Sequence, residues 1–394
     1  MELNKGQEEA VKIIVDRYRK GLRYAVLAGP AGTGKTSTVS AIIAAMGDVD
    51  PSYDVVYCAY TGKACEVLKK KGNKNTSTLH KLLYQSYMEK DGTYRRIKVE
   101  HIPYKVAVID EASMIDTEMI ELLASHKNMF CLFLGDNAQL PPVKAAANNG
   151  LLDNPHYTLT QIMRQEEGGE IIDFATKIRL GQSIPFFTGE NVMILPNGSL
   201  TDGMLLWADI ILCATNKTRL ELNKRIRALK GFEAPLEVGD KLICTHNNWD
   251  AFGSEGSPLM NGQIVYVDSE MREFPGIIPP RARVKGAIPF YTGHIITDTD
   301  EYFYNTKIDK SMLINEAPSI TSEDRYKIMK NRYGFILPDQ FAYAQAITTH
   351  KAQGSEFSKV LIIEEKFPFS KDEHQRWLYT AFTRAQDRVV LIRA

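Results

Sequence analysis

The sequence has little that would tie it to the outside of a cell. Its five cysteines, Cys58, Cys65, Cys131, Cys213 and Cys244, are an odd number without a C-x-x-C pair, which excludes a disulfide scaffold or a paired-thiol redox or zinc motif. Three of them lie in strand-like runs, so buried thiols in a reducing cytoplasm are expected. Apolar runs such as "VAVI" and "CLFL" are only strand-length, too short to cross a bilayer. The opening "MELNKGQEEA" is charged and lacks an apolar signal region, so neither secretion nor a membrane partner is expected. An excess of either charge is also missing: 48 Lys plus Arg stand against 48 Asp plus Glu. That balance excludes a grip on nucleic acid by bulk positive charge, and any such partner needs a local groove. There is no internal repeat and no low-complexity tract.

What is present describes a two-domain α/β chain. Its 394 residues, 44% hydrophobic and 24% charged, fit two main domains with small insertions. In the first half, "YAVLAG", "DVVYCAY", "KVAVIDE" and "MFCLFLGD" read as strands, with "KTSTVSAIIAAM" and "GKACEVLKKKG" as helices between them. Strands this uniformly apolar are covered on both faces, as in a parallel sheet with crossover helices. "DIILCATN", "KVLIIEE" and "RVVLIRA" repeat the pattern later. Turn signals ("MNGQ", "FPGIIPP") and alternating strands ("QIVYVDS", "RARVKGA") mark a β-rich insertion. It closes on a predicted helix over 322–333, with Thr321 or Ser322 as cap and Gly334 as stop. Asp91-Gly92 between polar, aromatic-flanked arms predicts a hairpin over 84–103. The expected division is 1–83 with 104–180, the hairpin 84–103, then 181–242 with 335–394, and the insertion 243–334.

"GPAGTGKT", residues 29–36, follows a strand and precedes a helix, the context of a phosphate loop. Gly29, Gly32, Thr33 and Gly34 let backbone N–H groups turn toward phosphate oxygens at a helix N-terminus. Lys35 suits the terminal phosphates of ATP, and the Thr36 hydroxyl suits Mg2+. "VAVIDEAS" adds Asp110 for the metal and Glu111 to polarise the attacking water. A glutamate next to the metal-binding aspartate points to nucleotide hydrolysis rather than transfer to a small acceptor. In "LFLGDNAQLPPV", Gln139 either reports the terminal phosphate or belongs to a polar turn before Pro141-Pro142.

In their order along nearly the whole chain, these segments resemble a superfamily 1 helicase of the RecD-like and Dda-like branch. "LNKGQ" is similar to the adenine-reading segment, with Gln7 as base contact. "AYTGKACEVL" and "TSTLHKLL" are similar to strand-gripping motifs, "LTQIMRQ" to the segment supplying a first arginine, Arg164, and "TTHKAQGSEF" and "YTAFTRA" complete the set. The resemblance implies two RecA-like P-loop domains and an SH3-like insertion entered by "VGDKLICTHNN" and "MNGQIVYV". It implies a monomeric, Mg-ATP-driven 5′→3′ translocase on single-stranded DNA, unwinding forked duplex in the cytoplasm of a bacterial or phage-infected cell. Replication or single-strand-binding proteins are the expected partners. Arg384 becomes a catalytic arginine delivered across the cleft; its bland alternative is a surface helix residue paired with Asp387. Gly354 and Glu356 face the nucleotide from the second domain, Glu356 toward the ribose.

The resemblance places Thr61, Lys63 and His80 on the first domain's DNA surface and Thr349, His350 and Lys351 on the second's. Hydroxyls and amides position phosphates without adding charge, and a histidine can stack on a base; each histidine is equally readable as structural. Lys69-Lys70-Lys71 is read as a solvated helix end. The hairpin is the candidate strand-separating pin, with Met88 and Tyr94 near its tip, or else an exposed hairpin without contacts. Two rivals stand beside the DNA helicase: an RNA-directed motor of the same fold, and a P-loop regulatory ATPase acting on a protein partner.

Overall fold

The computed structural model describes residues 3–60, 62–88, 94–141, 150–161, 169–254, 256, 258–276, 278, 287–321, 324, 328, 337–366 and 370–394. Its first sheet runs from edge to edge as Thr76–Thr78, Val55–Ala59, Val106–Ile109, Phe130–Gly135, Tyr24–Ala28 and Tyr157–Thr158, every pair parallel. Side chains alternate across a strand, so each strand feeds two cores. On one face Leu27, Val55, Val108 and Leu132 meet Ala10, Ile14, Val39 and Ile42 of the helices Lys5–Arg19 and Lys35–Met46. On the other, Val26, Val56, Ile109 and Phe133 meet Leu79, Leu83, Met119 and Leu123. Burial on both faces accounts for the unbroken apolar runs. Asn4 and Gln7 close a capping box at the first helix, a device that contributes about 1 kcal/mol.

The second sheet has the order Ala346–Thr348, Ile210–Cys213, Phe357–Ile363, Ala385–Ile392, Val192–Leu195 and Phe187–Thr188, parallel except for the last pair. Helix Gly169–Arg179 packs here: Ile171, Phe174 and Ile178 share a core with Trp377, Leu378 and Phe382. The division drawn from sequence ends the first unit at 180. The apolar stripe of this helix is instead buried against helix Lys371–Phe382, in the second unit.

The third sheet is antiparallel: Arg272–Phe274, Phe290–Thr297, Ile264–Val267, Lys241–Cys244 and Phe341–Tyr343, with Tyr302–Asp309 also paired to Phe290–Thr297. Two of its strands run past the 243–334 limits drawn from sequence, because Lys241–Cys244 hydrogen-bonds Phe341–Tyr343. The hairpin arms Tyr84–Met88 and Tyr94–Lys98 pair antiparallel from Tyr84↔Lys98 to Met88↔Tyr94; Asp91-Gly92 lies outside the described residues. The helix expected over 322–333 and the strand "RARVKGA" fall largely outside them too, although the Thr321 hydroxyl accepts from the Asp324 N–H at 3.1 Å as a cap would. The turn before Ile264–Val267 reaches the first unit at Gly62, which opens helix Gly62–Lys70. A Cβ on Gly62 would lie 2.3 Å from the Met260 Cβ. Among the described residues no helix is long and apolar enough to cross a membrane.

Candidate active site

The central strands of the first sheet, Val106–Ile109, Phe130–Gly135 and Tyr24–Ala28, are neighbours. Their C-terminal ends deliver Asp110-Glu111, the turn 136–140 and the phosphate loop to one place, as parallel sheets do at their carboxyl edge. Opposite them stand Gly354, Glu356 and Arg384 of the second unit. The cleft between encloses about 650 Å3 and is lined by Pro30 to Ser37, Asp110, Glu111, Asp136, Gln139, Arg179, Gly354, Glu356, Tyr379 and Arg384.

Gly32 and Gly34 adopt φ of 80° and 75°, a backbone open to glycine at no steric cost, and helix Lys35–Met46 starts at once. Lys35 Nζ lies back on the loop, donating to the Gly29 carbonyl at 2.7 Å and the Pro30 carbonyl at 3.0 Å. Thr36 lines the same cleft. Gln7 is buried beside the loop rather than among the cleft-lining residues: its Nε2 donates to the Thr33 carbonyl at 3.3 Å and its Oε1 accepts from the Asn4 N–H at 3.1 Å.

Glu111 has φ 52°, a left-handed conformation that costs a non-glycine residue about 1–3 kcal/mol and tends to mark working sites. Its N–H donates to Asp110 Oδ1 at 2.9 Å. Burial pushes the Glu111 carboxyl above the ordinary range; Arg384 and Lys35 pull it down, while Asp110 and Asp136 add to the rise. Gln139 is buried, and its Oε1 has no hydrogen-bond partner among the described residues. Its turn is held from the second unit. Leu140 N–H donates to Thr380 Oγ1 at 2.9 Å, Gln353 Nε2 donates to the Leu140 carbonyl at 2.7 Å, and Arg376 Nη1 donates to the Asn137 carbonyl at 2.5 Å.

Arg384 is 4% exposed. It donates to the Thr380 carbonyl (3.1 Å), the Ser355 carbonyl (3.2 Å) and Thr383 Oγ1 (3.2 Å), and its Nη1 stands 4.0 Å from Glu111 Oε1. The surface pairing with Asp387 does not occur; that carboxylate accepts from the Ser358 hydroxyl at 2.6 Å. Gly354 (φ 74°) and Glu356 line the cleft, Glu356 accepting from Gln386 Nε2 at 2.9 Å.

The family described as "AAA domain" matches residues 2–190, and that described as "UvrD-like helicase C-terminal domain" matches 343–392. The chain is 25% identical to the ATP-dependent DNA helicase dda of Enterobacteria phage T4, over 98% of each. It is 26% identical to the ATP-dependent RecD2 DNA helicase of Deinococcus radiodurans, over 98% of this chain and 48% of that one. Over nearly its whole length the chain is thus similar to superfamily 1 helicases of the Dda and RecD kind. The fold agrees: a Bacteroides Pif1 helicase crystallised with ADP-AlF3 and ssDNA superposes with TM-score 0.56 at 16% identity, over 99% of this chain and 92% of that one.

The remaining residues expected of a helicase are placed unevenly. His80 sits among rings, 5.7 Å from Tyr60 and 6.4 Å from Tyr84 between centroids. Thr349 is a correction: it is fully buried, and its hydroxyl points to the Cys213 carbonyl at 3.5 Å. It follows directly on the edge strand Ala346–Thr348, which pairs with Ile210–Cys213, and its side chain turns into the core rather than to a DNA surface. His350 is half-buried, and burial holds its imidazole below the usual pKa. Lys351 reaches solvent, with its ammonium pKa lowered first by desolvation and then by Arg219, against the opposing pull of Glu316. Thr61 and Arg164 lie outside the described residues, as do the side chains of Lys63, Met88 and Tyr94. Sequence reading missed Arg179, Tyr379 and Asp136, although two of them lie inside quoted motifs. Their partners sit on the opposite unit, and no spacing along the chain encodes that.

Proposed function

We propose that this helicase-like chain hydrolyses ATP at the cleft and uses the cycle to move 5′→3′ along single-stranded DNA, opening forked duplex ahead of it. The supporting observation is the cleft itself: phosphate loop, Asp110 and Glu111 from one parallel sheet, Arg384 from the other, and 4.0 Å between Arg384 and Glu111. The two sheets are the motor lobes, and the chain works as a monomer in the cytoplasm of a bacterial or phage-infected cell, beside replication or single-strand-binding proteins.

In this reading Lys35 leaves the loop carbonyls for the β- and γ-phosphates, and the backbone N–H groups of 29–34 cradle them. Gln7 braces the loop from beneath and reads the adenine edge. The Thr36 hydroxyl and the Asp110 carboxylate are hard oxygen donors on one cleft, a set that fits Mg2+; the bound ion would neutralise charge on the β- and γ-oxygens. Ionised Glu111 accepts the proton of the attacking water, and the unpaired Gln139 Oε1 orients that water. Arg384, with Arg164, stabilises charge on the departing phosphoryl group, an effect of about 10³–10⁵ in rate for arginine fingers. Glu356 and Gly354 hold the ribose side.

DNA is held without bulk charge. His80 and His350 stack on bases, worth about 1–3 kcal/mol each, while Thr61, Lys63 and Lys351 position phosphates. Closing the cleft on ATP draws the two sets of contacts together, and hydrolysis releases them. The Met88–Tyr94 end of the hairpin separates strands. Unwinding of a forked duplex carrying either a 5′ or a 3′ tail, with ATPase measured on DNA and RNA oligomers, tests this reading. ATP-dependent opening of the 5′-tailed fork supports it; turnover indifferent to every oligonucleotide overturns it.

A further inference from the structure

Leu140 follows Gln139 in the loop that leaves strand Phe130–Gly135 of the first sheet, yet it is the second lobe that holds it. Its side chain is 3% exposed and lies in the core that contains Ile171, Trp377 and Phe382. Its N–H donates to Thr380 Oγ1 at 2.9 Å and its carbonyl accepts from Gln353 Nε2 at 2.7 Å, both bonds buried. Arg376 Nη1 also reaches the Gln139 carbonyl at 3.4 Å. Gln353 is 4% exposed and belongs to the turn 348–355 that ends strand Ala346–Thr348. Backbone bonds close that turn: Lys351 N–H to the Thr348 carbonyl at 2.9 Å, Ala352 N–H to the Thr349 carbonyl at 3.1 Å and Ser355 N–H to the Ala352 carbonyl at 3.0 Å. Lys351 is exposed and His350 half-buried. The buried part of the same turn grips Leu140 through Gln353, and Arg384 Nη1 through the Ser355 carbonyl at 3.2 Å.

We infer that Gln353 is a positioning residue: through the Leu140 carbonyl it ties Gln139 to the turn that carries the proposed DNA contacts His350 and Lys351, so that engagement of the strand sets how Gln139 stands toward the nucleotide. This rests on the motor reading above. The tie is stiff for reasons of backbone geometry. The Gln139–Leu140 peptide is planar, and Thr380 fixes it at the Leu140 N–H. Pro141 comes next; its ring fixes its own φ and confines Leu140 to extended backbone. A shift of the 348–355 turn therefore finds little slack at Leu140 and passes to Gln139, whose Oε1 has no hydrogen-bond partner among the described residues.

The test is Gln353→Met, which keeps the length of the side chain and removes the donor. Affinities for ATP and for an oligothymidylate, each read by direct binding, should stay within about twofold, while oligothymidylate-stimulated kcat falls by at least about tenfold, as expected of an interaction used in turnover and not in binding. In a Gln139→Ala background the same change should cost less than about twofold further, because it acts through Gln139. A merely structural amide would lower the melting temperature and leave kcat per folded molecule unchanged, or would cost as much in the Gln139→Ala background as in the wild type. Either pattern overturns the inference. Should Gln353→Met fail to fold, Gln353→Asn, which falls one carbon short of the Leu140 carbonyl, is judged by the same cycle. The motor reading fails separately, in wild-type turnover that ignores oligonucleotides, and this inference falls with it. A stimulated wild type beside an equally stimulated Gln353→Met sinks this inference alone.

Discussion

Arg384 Nη1 stands 4.0 Å from Glu111 Oε1, and the two side chains come from different sheets. Neither could act alone. The glutamate needs a nearby cation to remain ionised in a buried cleft, and the arginine needs the phosphate loop across from it to have something to stabilise. In the function proposed above, their approach would make hydrolysis conditional on how the lobes are set, as coupling to movement requires.

Arg384→Ala is therefore expected to bind ATP nearly as well as the wild type and to lose about 10³-fold or more of stimulated kcat. Equal losses of nucleotide affinity and turnover, read by equilibrium binding and steady-state kinetics, would make the arginine structural.

Turnover should also carry a displaced acid limb. Burial raises the Glu111 pKa, and Arg384 is the strongest group opposing that rise. In the proposed mechanism the ionised carboxylate is the working form, so kcat should fall as pH drops through this raised value, above the ordinary glutamate range. Removing the Arg384 charge raises the pKa further, so residual turnover in Arg384→Ala should lose activity at a higher pH than the wild type. A pH–rate profile whose acid limb does not move between the two proteins speaks against Glu111 as the base.

Thr349→Val should leave single-strand affinity within about twofold, because the hydroxyl is buried against a carbonyl and not offered to solvent. Lys351→Ala should instead weaken binding and flatten its salt dependence by roughly 0.7 in slope, the share of one phosphate contact on a single strand. Fluorescence anisotropy titrations across a salt series distinguish the two residues.

Gly62→Ala should destabilise the protein by about 1–3 kcal/mol, the usual cost of overpacking. The added Cβ would lie 2.3 Å from the Met260 Cβ, so shortening Met260 to alanine leaves the clash in place. Thermal unfolding of Gly62→Ala and of Gly62→Ala/Met260→Ala should thus show no rescue; recovery in the double variant would mean that only the flexible end of Met260 matters.

Replacing Tyr94 with alanine should spare translocation on single strands and slow duplex opening, since Tyr94 pairs with Met88 in the last described register of the hairpin. Stopped-flow assays of both activities on one preparation decide it, and unchanged unwinding removes the pin role.

Much of this was legible along the chain. "GPAGTGKT" after a strand, and "VAVIDEAS" after another, announce a nucleotide site, because local backbone geometry and the ends of buried strands are set by neighbouring residues. Continuous apolar runs such as Phe130–Gly135 announce a parallel sheet, because both faces of such a strand must be covered. Those are short-range constraints, and a sequence carries them openly. The tertiary structure alone decided three other matters: that helix Gly169–Arg179 packs with the second sheet, that Thr349 turns inward, and that Tyr379 reaches Asp136 from the opposite lobe. Each depends on which surfaces of distant segments come into contact, and the free energy that selects those contacts is shared over a whole interface and written in no single motif.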